Sequence, residues 1–126
     1  MKYSRQREQI LEYVKSVMIH PTAETVYNEV RKQNSNISLG TVYRNLDKLS
    51  NDGYLLRIKM ANGKDRFDGN TNKHYHAVCT ECGKMYDIFE DYFESIDKMV
   101  SSKLDCRVLS HDIIFNIICP YCERGF

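Results

Sequence analysis

SLGTVYRNLDKLSNDG, residues 38–53, reads as a helix with two unlike faces. Ser38 can cap its start, and Asn51-Asp52-Gly53 ends it. Leu39, Val42, Tyr43, Leu46 and Leu49 recur at three- and four-residue steps, which turns most of them toward a core. Gly40, Thr41, Arg44, Asn45 and Lys48 fall on the opposite side, with Tyr43 at its edge. That outer face is slim, cationic and able to hydrogen-bond, and none of those five residues is a carboxylate. Such a face suits the DNA major groove, where Arg and Asn read base edges and Lys meets phosphates. The plain alternative is an ordinary solvated helix face.

The flanks support the first reading. Upstream, Ser4 can cap a helix with Ile10, Leu11, Val14 and Val17 on its apolar side. His20-Pro21 breaks that pattern, because the residue before proline is pushed out of helical geometry. Thr22 can then cap a second helix carrying Val26, Tyr27 and Val30. Downstream, residues 54–60 and 64–68 read as strands around Asn62-Gly63, a tight-hairpin signal. Three short helices and a basic hairpin predict a winged helix, with Arg57, Lys59, Lys64 and Arg66 offered to DNA phosphates.

Gly69-Asn70-Thr71-Asn72 marks the expected boundary, giving a winged-helix DNA-binding domain over 1–69 and a metal-binding dimerisation domain over 70–126. The second part reads as strand (74–78), cysteine turn, strand (85–89), helix (about 92–104), strand (107–118) and a last cysteine turn. Ile113, Phe115 and Ile117 share one face of the final strand. The fold class is therefore α+β, and the apolar content of the second part is large for its size, so a second copy of the chain is expected to bury a share of it.

Charge divides along the same line. Residues 1–70 hold 12 Lys/Arg against 8 Asp/Glu, or +4, and residues 71–126 hold 6 against 9, or −3. A basic front and an acidic rear suit a phosphate-facing module joined to a cation-binding one. With 42% hydrophobic and 28% charged residues the chain should fold rather than stay disordered. No apolar run approaches a membrane span, and Met1-Lys2-Tyr3-Ser4-Arg5-Gln6-Arg7 has no apolar signal core, so a cytoplasmic protein with no membrane partner is expected.

Four of the five cysteines fall as Cys79-x-x-Cys82 and Cys119-x-x-Cys122. Two thiolate pairs on tight turns can close a tetrahedron around zinc, and four sulfurs leave no open position, so the zinc is expected to be structural. Reduced unliganded cysteines and a redox dithiol are the alternatives. Cys106 stands outside the pattern and reads as a core residue near a strand start. A second, mixed constellation combines His74-x-His76 with Asp68 and Asp87, and His20 from the helical part can join it. Alternate strand positions face one side, so both strand histidines can reach one ion. Imidazole with carboxylate suits iron(II), manganese(II) or zinc. A ligand set drawn from both sides of residue 70 would couple metal binding to the placement of the DNA-reading module.

HPTAETVY (20–27), TVYRNL (41–46), HYHAVCTECGK (74–84) and the closing Cys119-x-x-Cys122 together resemble the ferric uptake regulator family over nearly the whole chain. The resemblance implies a winged-helix repressor, a dimerisation domain, a structural zinc and a regulatory metal. Its peroxide-responsive branch uses three His and two Asp as regulatory ligands, which carry over onto His20, Asp68, His74, His76 and Asp87. Iron-uptake regulators usually have Glu at the places of Asp68 and Asp87. The implied mechanism is that bound Fe2+ reacts with peroxide, His20 or His74 is oxidised, and the homodimer releases its operator DNA; Mn2+ fills the same ligands without that chemistry.

Two departures stand out. Many relatives have an extra short helix before the first one here, whose DNA contacts would fall to Lys2, Arg5 and Arg7. Some relatives hold a further metal that Glu94 and His111 match in part, but Tyr75 stands where an acid is common and Lys73 precedes the strand histidines, so that site is not expected. The competing functions are an iron- or zinc-uptake repressor of the same family, a metalloenzyme with an open His/Asp centre, and a zinc-ribbon adaptor.

Overall fold

The computed structural model describes residues 4–61, 63–72 and 74–125. They form two compact units, Met1–Thr71 and Asn72–Phe126. Lys2, Asn62 and Lys73, named above for DNA contact, hairpin turn and strand entry, lie outside the described residues. Among the described residues no helix is long and apolar enough to cross a membrane.

The first unit opens with three capped helices, α1 (Arg5–Ser16), α2 (Ala23–Val30) and α3 (Leu39–Asn51). The side chains of Ser4, Thr22 and Ser38 accept from the backbone N–H of Arg7, Thr25 and Thr41, each satisfying a donor that a helix start leaves open. Ile10, Val14, Val26, Val42, Leu46 and Leu49 are fully buried and interlock the helices. Gly53, at φ 86, lets the chain leave α3 in the left-handed region.

Strands β1 (Leu56–Ile58) and β2 (Arg66–Asp68) form the antiparallel wing. A two-residue Asn62-Gly63 turn would set Ile58 opposite Phe67. Instead Ile58 pairs with Arg66, one residue out of that register. The Asp65 carboxylate accepts from Met60 N–H, and Phe67 N–H donates to the Pro21 carbonyl on the far side of β2. Those bonds settle the register. The same contact seats the His20-Pro21-Thr22 corner against β2, where Thr22 bridges Arg66. Beyond β2 the chain passes close to α1: a Cβ on Gly69 would lie 2.7 Å from Lys15 Cα, so glycine is required by space.

The second unit is a three-stranded sheet of β3 (Tyr75–Cys79), β4 (Met85–Ile88) and β5 (Ile114–Ile117), in the order β4-β3-β5. β3 runs antiparallel to β4 and parallel to β5. Helix α4 (Glu94–Leu104) and a short α5 (Pro120–Arg124) complete it. The final strand is much shorter than the expected 107–118. Upstream of it, His111 N–H donates to the Tyr92 hydroxyl and the His111 ring is held by Asp97 and Tyr75, so this segment spends its hydrogen bonds on side chains. Cys106 is exposed, not a core residue, because α4 ends in a left-handed Asp105 (φ 50) and the chain turns outward there. None of the residues of α4 is buried, and Phe115 on β5 is exposed as well.

Candidate metal centres and nucleic-acid interface

The four-cysteine constellation converges. Cys79 ends β3, Cys82 follows on a turn closed by Gly83 N–H to the Cys79 carbonyl, and Gly83 takes φ 77 there. Cys119 precedes α5 and Cys122 lies within it. The sulfurs all lie within 4.8 Å of one another, with Cys79 to Cys122 at 3.7 Å and Cys82 to Cys119 at 3.8 Å. The backbone N–H groups of Cys119 and Cys82 both donate to the Cys79 sulfur. They lower the Cys79 thiol to about 6, and the N–H of Cys122 lowers that of Cys119. Cys122 is instead pushed up by the adjacent Cys119 and Cys79 sulfurs. The hydroxyl of Tyr86 on β4 faces Cys119, whose sulfur pushes Tyr86 up to about 12.

The His/Asp residues form one grouping in each unit. In the first, His20 Nε2 lies 3.3 Å from Asp68 Oδ2, and both residues are buried. His20 adopts φ 54, a left-handed conformation uncommon outside glycine, which the Pro21–Phe67 bond and an Arg66 hydrogen bond to the His20 carbonyl hold in place. In the second unit, His74 and His76 both approach Oδ1 of Asp87, at 2.7 and 3.2 Å. His74 Nδ1 is 2.6 Å from the Asn72 carbonyl, which can only accept, so Nδ1 carries the proton. Its Nε2 is the atom turned toward the Asp87 carboxylate, where it donates when the ring is protonated and is the nitrogen offered to a metal when the ring is neutral.

The outer face of α3 is partly as expected. Arg44 and Lys48 are exposed and Thr41 is half-buried, with Arg44 Nη2 donating to Thr41 Oγ1 at 2.9 Å. Tyr43 belongs to this face and not to the core, being 40% exposed. Asn45 is a correction: it is 6% exposed, its Oδ1 accepts from Arg7 Nε at 2.9 Å, and its Nδ2 donates to the Thr41 carbonyl. It joins α1 to α3 instead of reaching outward, because α1 covers that edge of the helix. The wing cations also differ from expectation. Arg57 is ion-paired with Asp47 and Lys64 with Glu24, while Arg66 turns to the His20 carbonyl; Lys59 is exposed.

A cluster that sequence reasoning missed links α4 to β3. His111 Nδ1 lies 2.6 Å from Asp97, its Nε2 2.7 Å from the Tyr75 hydroxyl, and Tyr92 donates to the other Asp97 oxygen. Asp97 gave no spacing signal with residue 111. Both ring nitrogens of His111 are thus engaged, by Asp97 and by Tyr75.

Residues 1–116 match the model of the ferric uptake regulator family. The chain belongs to that family. Its members are transcriptional regulators, so the chain is a family regulator and not an enzyme. It is 31% identical over 123 residues to the peroxide-responsive repressor PerR of Staphylococcus aureus, covering 98% of this chain and 83% of that one. The Campylobacter jejuni peroxide stress regulator is 29% identical with a TM-score of 0.73, covering 93% of this chain and 88% of that one. The Helicobacter pylori ferric uptake regulator, described as having three functional metal-binding sites, matches in fold with a TM-score of 0.82 at 24% identity, covering 98% and 83%. Together these place the chain in an α+β winged-helix fold with small sheets.

The metals of such regulators fit the residues present. A tetrahedral centre with Zn–S near 2.3 Å needs sulfurs roughly 3.8 Å apart. The paired Cys79–Cys122 and Cys82–Cys119 distances match that edge. Oxygen and imidazole donors at the other groupings suit a harder divalent ion.

Proposed function

We propose that the chain is a metal-dependent, peroxide-sensing transcriptional repressor. Residues 1–69 bind operator DNA through Thr41, Tyr43, Arg44 and Lys48, with Asn45 holding Arg7 behind them. Residues 70–126 hold metal and pair two chains into a homodimer in the cytoplasm. Cys79, Cys82, Cys119 and Cys122 hold a structural Zn2+. His20, Asp68, His74, His76 and Asp87 hold a regulatory Fe2+ or Mn2+.

The observation that carries this reading is that both short carboxylates already face imidazole: Asp68 faces His20, and Asp87 faces His74 and His76. When bound, iron(II) supplies the reduction of peroxide. The protein does the rest. The Asn72 carbonyl fixes the His74 tautomer so that Nε2 presents its lone pair. Asp87 Oδ1 aims both strand histidines at one point. The left-handed backbone at His20 sets its ring against Asp68. The family resemblance implies His20 or His74 as the ring that gains an oxygen.

The test compares the iron and manganese forms. Brief peroxide should abolish DNA binding by the iron form, spare the manganese form, and add one oxygen to the His20 or His74 peptide. Oxygen found on the four cysteines with both histidines intact would overturn the mechanism. The second reading is a metal-uptake repressor of the same family, favoured by the fold match to the Helicobacter pylori regulator. It requires an iron form whose DNA binding survives peroxide.

A further inference from the structure

The surface that carries Arg44 also carries two acids, and each holds a wing cation. Glu24, in the first turn of α2, accepts from the Tyr43 hydroxyl at 2.5 Å and is ion-paired with Lys64 Nζ at 3.1 Å. Asp47 on α3 is ion-paired with Arg57 of β1, which also lies 3.9 Å from Asp65. One carboxylate on α2 thereby reaches both the exposed tyrosine of α3 and the wing loop.

These pairs are wet. Lys64 is 64% and Glu24 30% exposed, and Asp47 is 52% exposed. Ion pairs of this kind contribute only about 0–1 kcal/mol to stability. Their effect falls on whatever competes for the cations, and the competitor for a cationic wing is a polyanion. Glu24 stays ionised for this task, because the Tyr43 hydrogen bond holds its carboxyl below the usual range.

We propose that Glu24 is a specificity-determining residue: it fixes Tyr43 on the groove face while withholding Lys64 from phosphates. The proposal rests on the reading that this face binds DNA. Non-specific binding is almost wholly phosphate contact. It gains when Lys64 is free and needs nothing from Tyr43. Binding at the operator depends in addition on side chains held in place at the base edges. One carboxylate therefore acts in opposite directions on the two modes, and losing it shrinks the difference between them. Asp47 restrains Arg57 without touching Tyr43, so its loss affects both modes alike.

The experiment uses the full-length, metal-loaded protein. One duplex is recovered from a random pool by selection with the wild type, and the other is an alternating polymer it does not select. Glu24→Ala, which removes both the Lys64 ion pair and the acceptor for Tyr43, should tighten binding to the polymer about three-fold, the scale of an exposed ion pair. Its log–log salt slope should steepen by about 0.9, one additional phosphate contact. Binding to the selected duplex should weaken, so the specificity ratio falls. Tyr43→Phe should weaken the selected duplex with no steeper slope on the polymer, and Asp47→Asn should tighten both duplexes by a similar factor. If Glu24→Ala keeps the wild-type ratio while Arg44→Ala weakens the selected duplex, this proposal fails and the DNA-binding reading stands. If selection with the wild type enriches no duplex, that reading fails and takes the proposal with it.

Discussion

At the scale of single residues, two positions act through space that sequence spacing does not reveal. Asn45 belongs by periodicity to the outward face of α3, yet it is buried and ties Arg7 to the Thr41 carbonyl. Asn45→Ala leaves a guanidinium bond and a backbone bond unmade, which should cost about 1–3 kcal/mol in a denaturant titration. An unchanged midpoint would show that Arg7 finds equal partners elsewhere. Gly69 reads as linker glycine, but a Cβ there would meet Lys15 Cα at 2.7 Å. Gly69→Ala should destabilise the first unit by about 1–3 kcal/mol, the usual scale of an overpacked contact. A melting temperature equal to wild type would mean that α1 yields without cost.

At the scale of elements, the four-cysteine turns join β3 to α5, and zinc should govern whether they form. Cys119→Ser should lose zinc and the fold of the second unit, since a structural zinc contributes on the order of 10 kcal/mol. Retention of the wild-type circular dichroism spectrum by a zinc-free mutant would sink this. The thiols also set a pH dependence. Cys79 titrates near 6 in the folded chain against an ordinary value of 9.0, lowered chiefly by the Cys119 N–H. A lowered pKa stabilises the zinc-free fold fully above the ordinary value, and that contribution is lost as pH falls through about 6. Zinc retention against a chelator should therefore weaken more steeply once pH drops below about 6, where Cys79 takes up a proton in addition to Cys122, and a flat profile through that window would contradict it.

At the scale of the whole molecule, the second unit leaves apolar surface open. Phe115 on β5 is 45% exposed, Met99 and Leu104 on α4 are 50% and 70% exposed, and β5 lies at the edge of its sheet. An apolar edge of this kind is what a second copy covers. Sedimentation should give twice the mass of one chain, and Phe115→Lys should shift the equilibrium toward monomer while zinc content stays unchanged. A wild-type chain that sediments as a monomer at micromolar concentration would remove the homodimer from the reading.

Much of this molecule is local, and local features are legible in a chain of residues. Ser4, Thr22 and Ser38 cap the helices they precede because a capping bond spans only three residues. Cys79-x-x-Cys82 and Cys119-x-x-Cys122 announce convergent sulfurs because each pair is oriented by its own turn. Features that depend on a partner far along the chain were not legible. The wing register goes with the Phe67 bond to Pro21 and the Asp65 bond to Met60. The last strand shrinks to Ile114–Ile117 because His111 binds Asp97, Tyr75 and Tyr92. The wing cations face Glu24 and Asp47 because α2 and α3 bring those acids alongside. The physical reason is the same in each case. A hydrogen bond or ion pair acts over about 3–4 Å, and only the packed chain sets which distant residues come that close.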